Sequence, residues 1–133
     1  MKVVFDTNVL IAAFLTEGLC SGLLIRARKQ AFNLVLCDYI IQECEGILTK
    51  KFKLSSTDIA TISDMVAEAA YEILHELHPI PCICPDTDDM IIACAGDATA
   101  DYIVTGDEDL LIIKKYNDIQ IINPRNFEAL FED

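Results

Sequence analysis

The chain has 133 residues, just over half of them hydrophobic, and 22 acidic against 10 basic side chains give it a net charge of −12. That length suits one domain, residues 1–133, with a real core, and the apolar content argues against a disordered chain. A pI near 4.3 argues against a basic protein that coats nucleic acid, though not against an enzyme that meets phosphates through bound cations.

The first residues, Lys2–Phe5, form a short apolar run of strand type. They lead straight into Asp6 without the pattern of a secretory signal, so the expected compartment is the cytoplasm. Thr7–Leu15 reads as a helix after the Asp-Thr-Asn turn, and its apolar run from Val9 is far too short to cross a bilayer. A second helix is expected over Leu19–Gln30, opened by Ser21 or Gly18, then a continuous apolar strand at Asn33–Cys37. Asp38 suits the N-cap of a helix running to about Lys51. Ser55-Ser56-Thr57-Asp58 opens the next helix, which ends near Tyr71 to Leu74, and a weak strand is expected over His75–Ile80.

A proline-rich loop, Pro79–Pro85, follows. Asp86 and Thr87 then cap a helix reaching about Thr99. Tyr102–Val104 is a strand, Glu108–Lys114 a short helix and Ile119–Ile122 the last strand. Pro124, just inside a helix start, opens a terminal helix over Arg125–Phe131. Strands without polar alternation, interleaved with helices, predict an α/β domain of three layers with a mostly parallel central sheet.

Carboxylates recur where strands end or where a helix turns inward. Asp6 follows Val3-Val4-Phe5, and Asp107 follows Tyr102-Ile103-Val104-Thr105-Gly106. In an open parallel sheet such strand ends line one crevice, where ligands bind. Asp6 is also a natural N-cap, but Thr7 or Asn8 can serve instead and leave Asp6 to the crevice. Asn8 offers a neutral oxygen and an amide for positioning a water or phosphate. Gly106 is expected to permit a tight turn. Glu43 shares one helical stripe with Ile40, Cys44 and Ile47, whereas Glu45 reads as solvated surface. Asp89 aligns with Ile92, Ala93 and Gly96, while Asp88 aligns nearly as well with Ile91, Ile92 and Ala95. Asp86 is the better cap, and Asp109 is a weaker candidate for the site. Converging carboxylates repel unless a cation joins them, and oxygen-only ligands select a hard ion, Mg²⁺ or Mn²⁺. That combination points to metal-assisted phosphodiester chemistry.

The other polar residues add less. Basic side chains cluster at Arg26, Arg28 and Lys29, at Lys50, Lys51 and Lys53, and at Lys114 and Lys115. Each cluster can touch phosphates or simply complement a helix end. His75 and His78 read as surface residues. Six cysteines (20, 37, 44, 82, 84 and 94) resemble a disulfide set in number only. Cys37, Cys44 and Cys94 sit in apolar runs and read as buried reduced thiols. Cys82-Ile83-Cys84 lacks the second ligand pair of a structural zinc site.

The chain resembles PIN domains, in particular the compact prokaryotic kind found as VapC-like toxins of toxin–antitoxin pairs. The resemblance rests on Val4–Leu10, on Gln42-Glu43, on Pro85–Ala95, on Ala100–Leu111 and on Ile119–Phe131 with its Asn123-Pro124-Arg125-Asn126-Phe127. It implies a Mg²⁺- or Mn²⁺-dependent ribonuclease with metal-binding catalytic acids at Asp6, Glu43, Asp89 and Asp107. Asp109 would be an accessory ligand, and Asn8 and Thr105 polar supports. It prefers Asp89 over Asp88, because the family's acid lies four residues before the helix alanine, here Ala93. It further implies an RNA substrate, a small basic antitoxin as partner and a homodimer. Two other readings compete with it. A haloacid-dehalogenase-type phosphatase would need a second Asp where Asn8 stands, and a non-catalytic scaffold would have no use for four retained acids.

Overall fold

Val3, Val4 and Phe5 expose no surface, and neither do Leu34, Val35, Leu36, Ile103 or Val104. Complete burial on both faces is why these strands lack polar alternation. A computed structural model of the chain describes residues 1–78, 80 and 89–131. Its strands are β1 (Lys2–Phe5), β2 (Asn33–Cys37), β3 (Ala70–Leu74), β4 (Tyr102–Val104), β5 (Lys115–Tyr116) and β6 (Ile119–Ile122). They form one sheet in the order β3-β2-β1-β4-β6-β5, parallel except for the β5–β6 pair. The fold is α/β with a mostly parallel sheet, as expected.

The helices among the described residues are α1 (Thr7–Leu15), α2 (Leu19–Arg28), α3 (Asp38–Lys50), α4 (Ser56–Ala69), α5 (Asp89–Ala98), α6 (Glu108–Leu111) and α7 (Pro124–Ala129). No single helix among them is long and apolar enough to cross a bilayer. Helix α5 packs on β1, β2 and β4 through Ile91, Ile92, Cys94 and Ala95, all buried. From β1 the chain moves outward to β2 and β3, then returns to β4 on the other side of β1. The strand order therefore reverses between β1 and β4, and in open parallel sheets ligands bind outside the carboxyl ends of the strands at such a point.

Several local expectations change. The third strand is Ala70–Leu74, not His75–Ile80. Helix α4 passes into it at Ala70, whose φ of −74° and ψ of 131° are already extended, with no glycine or proline to mark the change. Strand β5 was not anticipated. It is a two-residue arm of a hairpin, framed by positive φ at Lys114 and Asn117. Cys37, not Asp38, takes the cap position of α3, and Asp38 enters the first turn. Helices α2, α6 and α7 end before Gln30, Lys114 and Phe131 respectively. The loop Pro79–Pro85 (apart from Ile80), together with Cys82, Cys84, Asp86, Thr87 and Asp88, lies outside the described residues.

One end of the core is aromatic. Phe127 on α7 is fully buried and meets Phe32 at 5.2 Å, Tyr102 at 5.7 Å and Phe131 at 5.2 Å, all edge-on. Asn123 caps this helix by accepting from the Asn126 N–H at 2.8 Å. Truncating Phe127 to Ala should cost about 3–5 kcal/mol, from reduced burial and the cavity left behind. A urea titration should show the midpoint falling by that equivalent with the slope unchanged.

Candidate active site

The site begins where β1 ends. The Asp6 N–H donates to the Val104 carbonyl at 3.0 Å, which continues the β1–β4 ladder by one residue and locks Asp6 against β4. Asp6 is also the N-cap of α1, so the two roles weighed as alternatives coincide. Its Oδ1 accepts from the Thr7 N–H at 2.7 Å, and its Oδ2 accepts from the Thr105 hydroxyl at 2.7 Å. Only 5% of the residue's surface is exposed.

Burial raises the Asp6 carboxyl above its ordinary value of 3.8. The Thr105 and Thr7 hydrogen bonds oppose that rise, while the negative charges of Asp107 and Glu43 add to it. The charges of two of the other three acids expected from sequence thus reach Asp6, although the residues lie far apart in the chain.

Each partner is positioned locally. Thr105, fully buried, donates to Asp6 and accepts from the Asp107 N–H at 3.0 Å, so one hydroxyl links both acids. Asp107 caps α6 by accepting from the Asp109 N–H at 2.9 Å. This backbone contact places the half-buried Asp109 next to it. Asn8 is exposed, and its Oδ1 accepts from the Gly106 N–H at 3.4 Å. Gly106 has no positive φ, and an added Cβ would meet Asn8 Oδ1 at an ordinary 3.9 Å. Neither its backbone nor the space around it therefore requires a glycine.

Glu43 lies half-buried on the inward stripe of α3 between Ile40 and Cys44. Its Oε2 accepts from the Tyr39 hydroxyl at 3.0 Å, one helical turn earlier. Tyr39 was missed from sequence, although the i, i+4 spacing carried the signal. Glu45 is not solvated surface: it is half-buried and accepts from the Ser63 hydroxyl on α4.

Asp89, also half-buried, opens α5. It borders a cavity of about 330 Å³ that Tyr39, Cys37, Leu77 and Met90 also line. Tyr39 therefore touches both the Glu43 carboxylate and the cavity holding Asp89. The two histidines are exposed as expected, yet both are paired: His75 Nδ1 with Asp38 at 2.9 Å, and His78 Nδ1 with Asp97 at 3.2 Å.

The basic clusters divide. Arg26 is bound to Glu128 at 2.7 Å and lies over the Phe131 ring at 5.0 Å, so its role is to fasten α2 to α7. Lys50 and Lys51 instead border a shallow hollow on α3 together with Glu43.

Residues 2–109 match the family described as PIN domain, a span that covers all four expected acids. The chain belongs to the PIN domain family. No curated protein matches it. PIN domains are generally nucleases and typically depend on divalent metal, so membership points to a nuclease-type function and leaves the phosphatase reading without support.

The donors of this PIN domain fit a hard cation in kind: Asp6, Glu43 and Asp107 offer carboxylate oxygens. Beside Asp6 the Thr7 hydroxyl is buried without a hydrogen-bond partner among the described residues. No three His, Cys, Asp or Glu side chains among those residues stand close enough to form a closed cage. Carboxylates suit Mg²⁺ or Mn²⁺ by donor type, since hard cations prefer oxygen ligands.

Two outcomes follow. Thr105→Val strips a donor from the Asp6 carboxylate and an acceptor from the Asp107 N–H. It should cost about 1–3 kcal/mol in a urea titration and raise the Asp6 carboxyl further.

The second concerns pH. Because folding raises the Asp6 pKa, ionising Asp6 opposes folding. The folded state is favoured fully below the ordinary value, and that advantage is lost as pH rises through the raised one. Asp6→Asn removes the charge. Its stability relative to the parent should therefore increase from acid to neutral pH in paired denaturation curves.

Proposed function

We propose that this PIN domain is a Mg²⁺- or Mn²⁺-dependent ribonuclease that hydrolyses RNA phosphodiester bonds, with Asp6, Glu43, Asp89 and Asp107 holding the ion. The observation that carries the reading is Asp6. A carboxylate that is 5% exposed, raised by burial and faced by two further acids is costly in the absence of a cation. Asp109 is the accessory ligand, a reading supported by its N–H donating to Asp107 Oδ1. Asn8 and Thr105 act as polar supports, Thr105 through the hydroxyl that links Asp6 to Asp107.

When bound, the ion supplies a water of lowered pKa and offsets charge building on the phosphate. The protein's own contribution is to orient the acids. Thr105 and the Thr7 N–H fix both oxygens of Asp6, and Tyr39 fixes Glu43. Lys50 and Lys51, beside Glu43, give an otherwise acidic chain cations for the RNA backbone. In the host the protein would be cytoplasmic, a homodimeric toxin held in check by a small basic antitoxin. The acidic surface supports such a partner. A non-catalytic scaffold is the second reading, and the open spacing of the acids among the described residues favours it.

Cleavage of a labelled RNA with Mg²⁺, with Mn²⁺ and with chelator separates the two. The parent should cleave only with metal. Asp6→Asn and Asp89→Asn should each lose more than about 100-fold, beyond the cost of losing a supporting hydrogen bond, while Asp88→Asn loses little. Metal-independent binding with no cleavage would leave the scaffold standing. Replacing Lys50 and Lys51 with Ala should weaken RNA binding and flatten its salt dependence by about 0.7 in log–log slope for each phosphate no longer neutralised.

A further inference from the structure

Helix α3 joins the acids at one end to a basic, aromatic turn at the other. Glu43, Gly46, Ile47 and Lys50 are spaced i, i+3, i+4 and i+7 on it, so they form one stripe. With Lys51 they line a shallow hollow. A Cβ added at Gly46 would meet nothing within 4 Å, so the stripe is open at its middle. Seven residues of helix put Lys50 roughly 10 Å beyond Glu43 along the axis.

Phe52 stands just past that stripe and is 42% exposed. The turn that carries it is fixed. The Leu54 N–H donates to the Leu48 carbonyl at 3.1 Å, and Lys53 takes a positive φ of 58°. Leu48 and Leu54 both pack into the core, while Phe52 between them stays out. The Lys51 ammonium lies 5.9 Å from the centre of its ring. We propose that Phe52 is a stacking platform for an unpaired RNA base, with Lys50, Lys51 and Lys53 on the adjoining phosphates. The choice of RNA rests on the ribonuclease reading above.

Charge and ring together select this occupant. Arg26 and Arg28 are paired with Glu128 and Glu68. Lys50, Lys51 and Lys53 are exposed and form no ion pair among the described residues, in a chain with 22 acidic side chains. Three such cations side by side suit an anionic ligand and repel a basic protein. Phosphates satisfy the lysines but give the ring nothing. A base does, because every base has an apolar π-face, and stacking on an aromatic tolerates any sequence. Bases inside a duplex already stack on each other, so the platform favours single strands, loops and ends. The stripe then sets the stacked base a short way along the strand from the phosphate at the acids.

The test uses the full chain in chelator, where nothing is cleaved, with a short labelled single-stranded RNA and the same RNA annealed to its complement. Phe52→Ala should weaken single-strand binding by about 5- to 100-fold. Its log–log salt slope should stay at the parent's value, because no phosphate contact is lost, and duplex binding should not change. The chain contains no tryptophan, so Phe52→Trp introduces a lone indole reporter. Single-stranded RNA should quench its fluorescence saturably, and duplex should not. If Phe52→Ala does not fold, the Phe52→Trp titration decides. An indole left unquenched, Phe52→Ala binding like the parent, or no RNA bound by any variant would overturn the proposal. Mg²⁺-dependent cleavage assayed alongside keeps the two readings apart: cleavage with an unquenched indole removes the stacking platform alone, and quenching without cleavage removes the nuclease alone.

Discussion

A carboxylate is buried at the carboxyl end of the central strand, and the surrounding structure depends on keeping it there. Asp6 extends the β1–β4 ladder through its N–H, starts α1 through its side chain, and receives the Thr105 hydroxyl from the far end of the chain. Three structural duties meet in one residue that would be more stable uncharged. An amide side chain would keep an accepting oxygen for the fold at lower electrostatic cost. Retaining a charge where like charges face it makes sense if something positive shares the crevice.

That constraint explains the neighbours. Thr105 is fully buried, so its hydroxyl must be satisfied, and it is satisfied twice by the acids it links. Tyr39 performs the same service for Glu43 from within one helix. Both are positioning residues: they limit how far the carboxylates relax apart. A site whose charges are held at fixed places before any ligand arrives binds a cation with little reorganisation.

Much of this was legible in the sequence. Lys2–Phe5, Asn33–Cys37, Tyr102–Val104 and Ile119–Ile122 have the boundaries expected of them, because each is an apolar run bounded by turn residues. β3 was misplaced because two of its five residues are exposed and nothing punctuates its junction with α4. β5 was missed because two residues carry no periodicity. At the site, the strand-end acids were visible as residue types, but their hydrogen bonds were not. The link between Asp6 and Thr105 spans 99 positions and exists only once β1 and β4 pair. Glu45 shows the opposite failure: helical phase placed it in solvent, yet α4 covers it and supplies Ser63.

The central claim is that the buried Asp6 carboxylate waits for a cation. The most direct measurement is a carbon-13 NMR titration of the Asp6 carboxyl in the apo protein, repeated with saturating Mg²⁺. The account predicts a midpoint above the ordinary 3.8 in the apo protein and a clear downward shift once Mg²⁺ is present. A midpoint at the ordinary value, unmoved by Mg²⁺ or Mn²⁺, would contradict it.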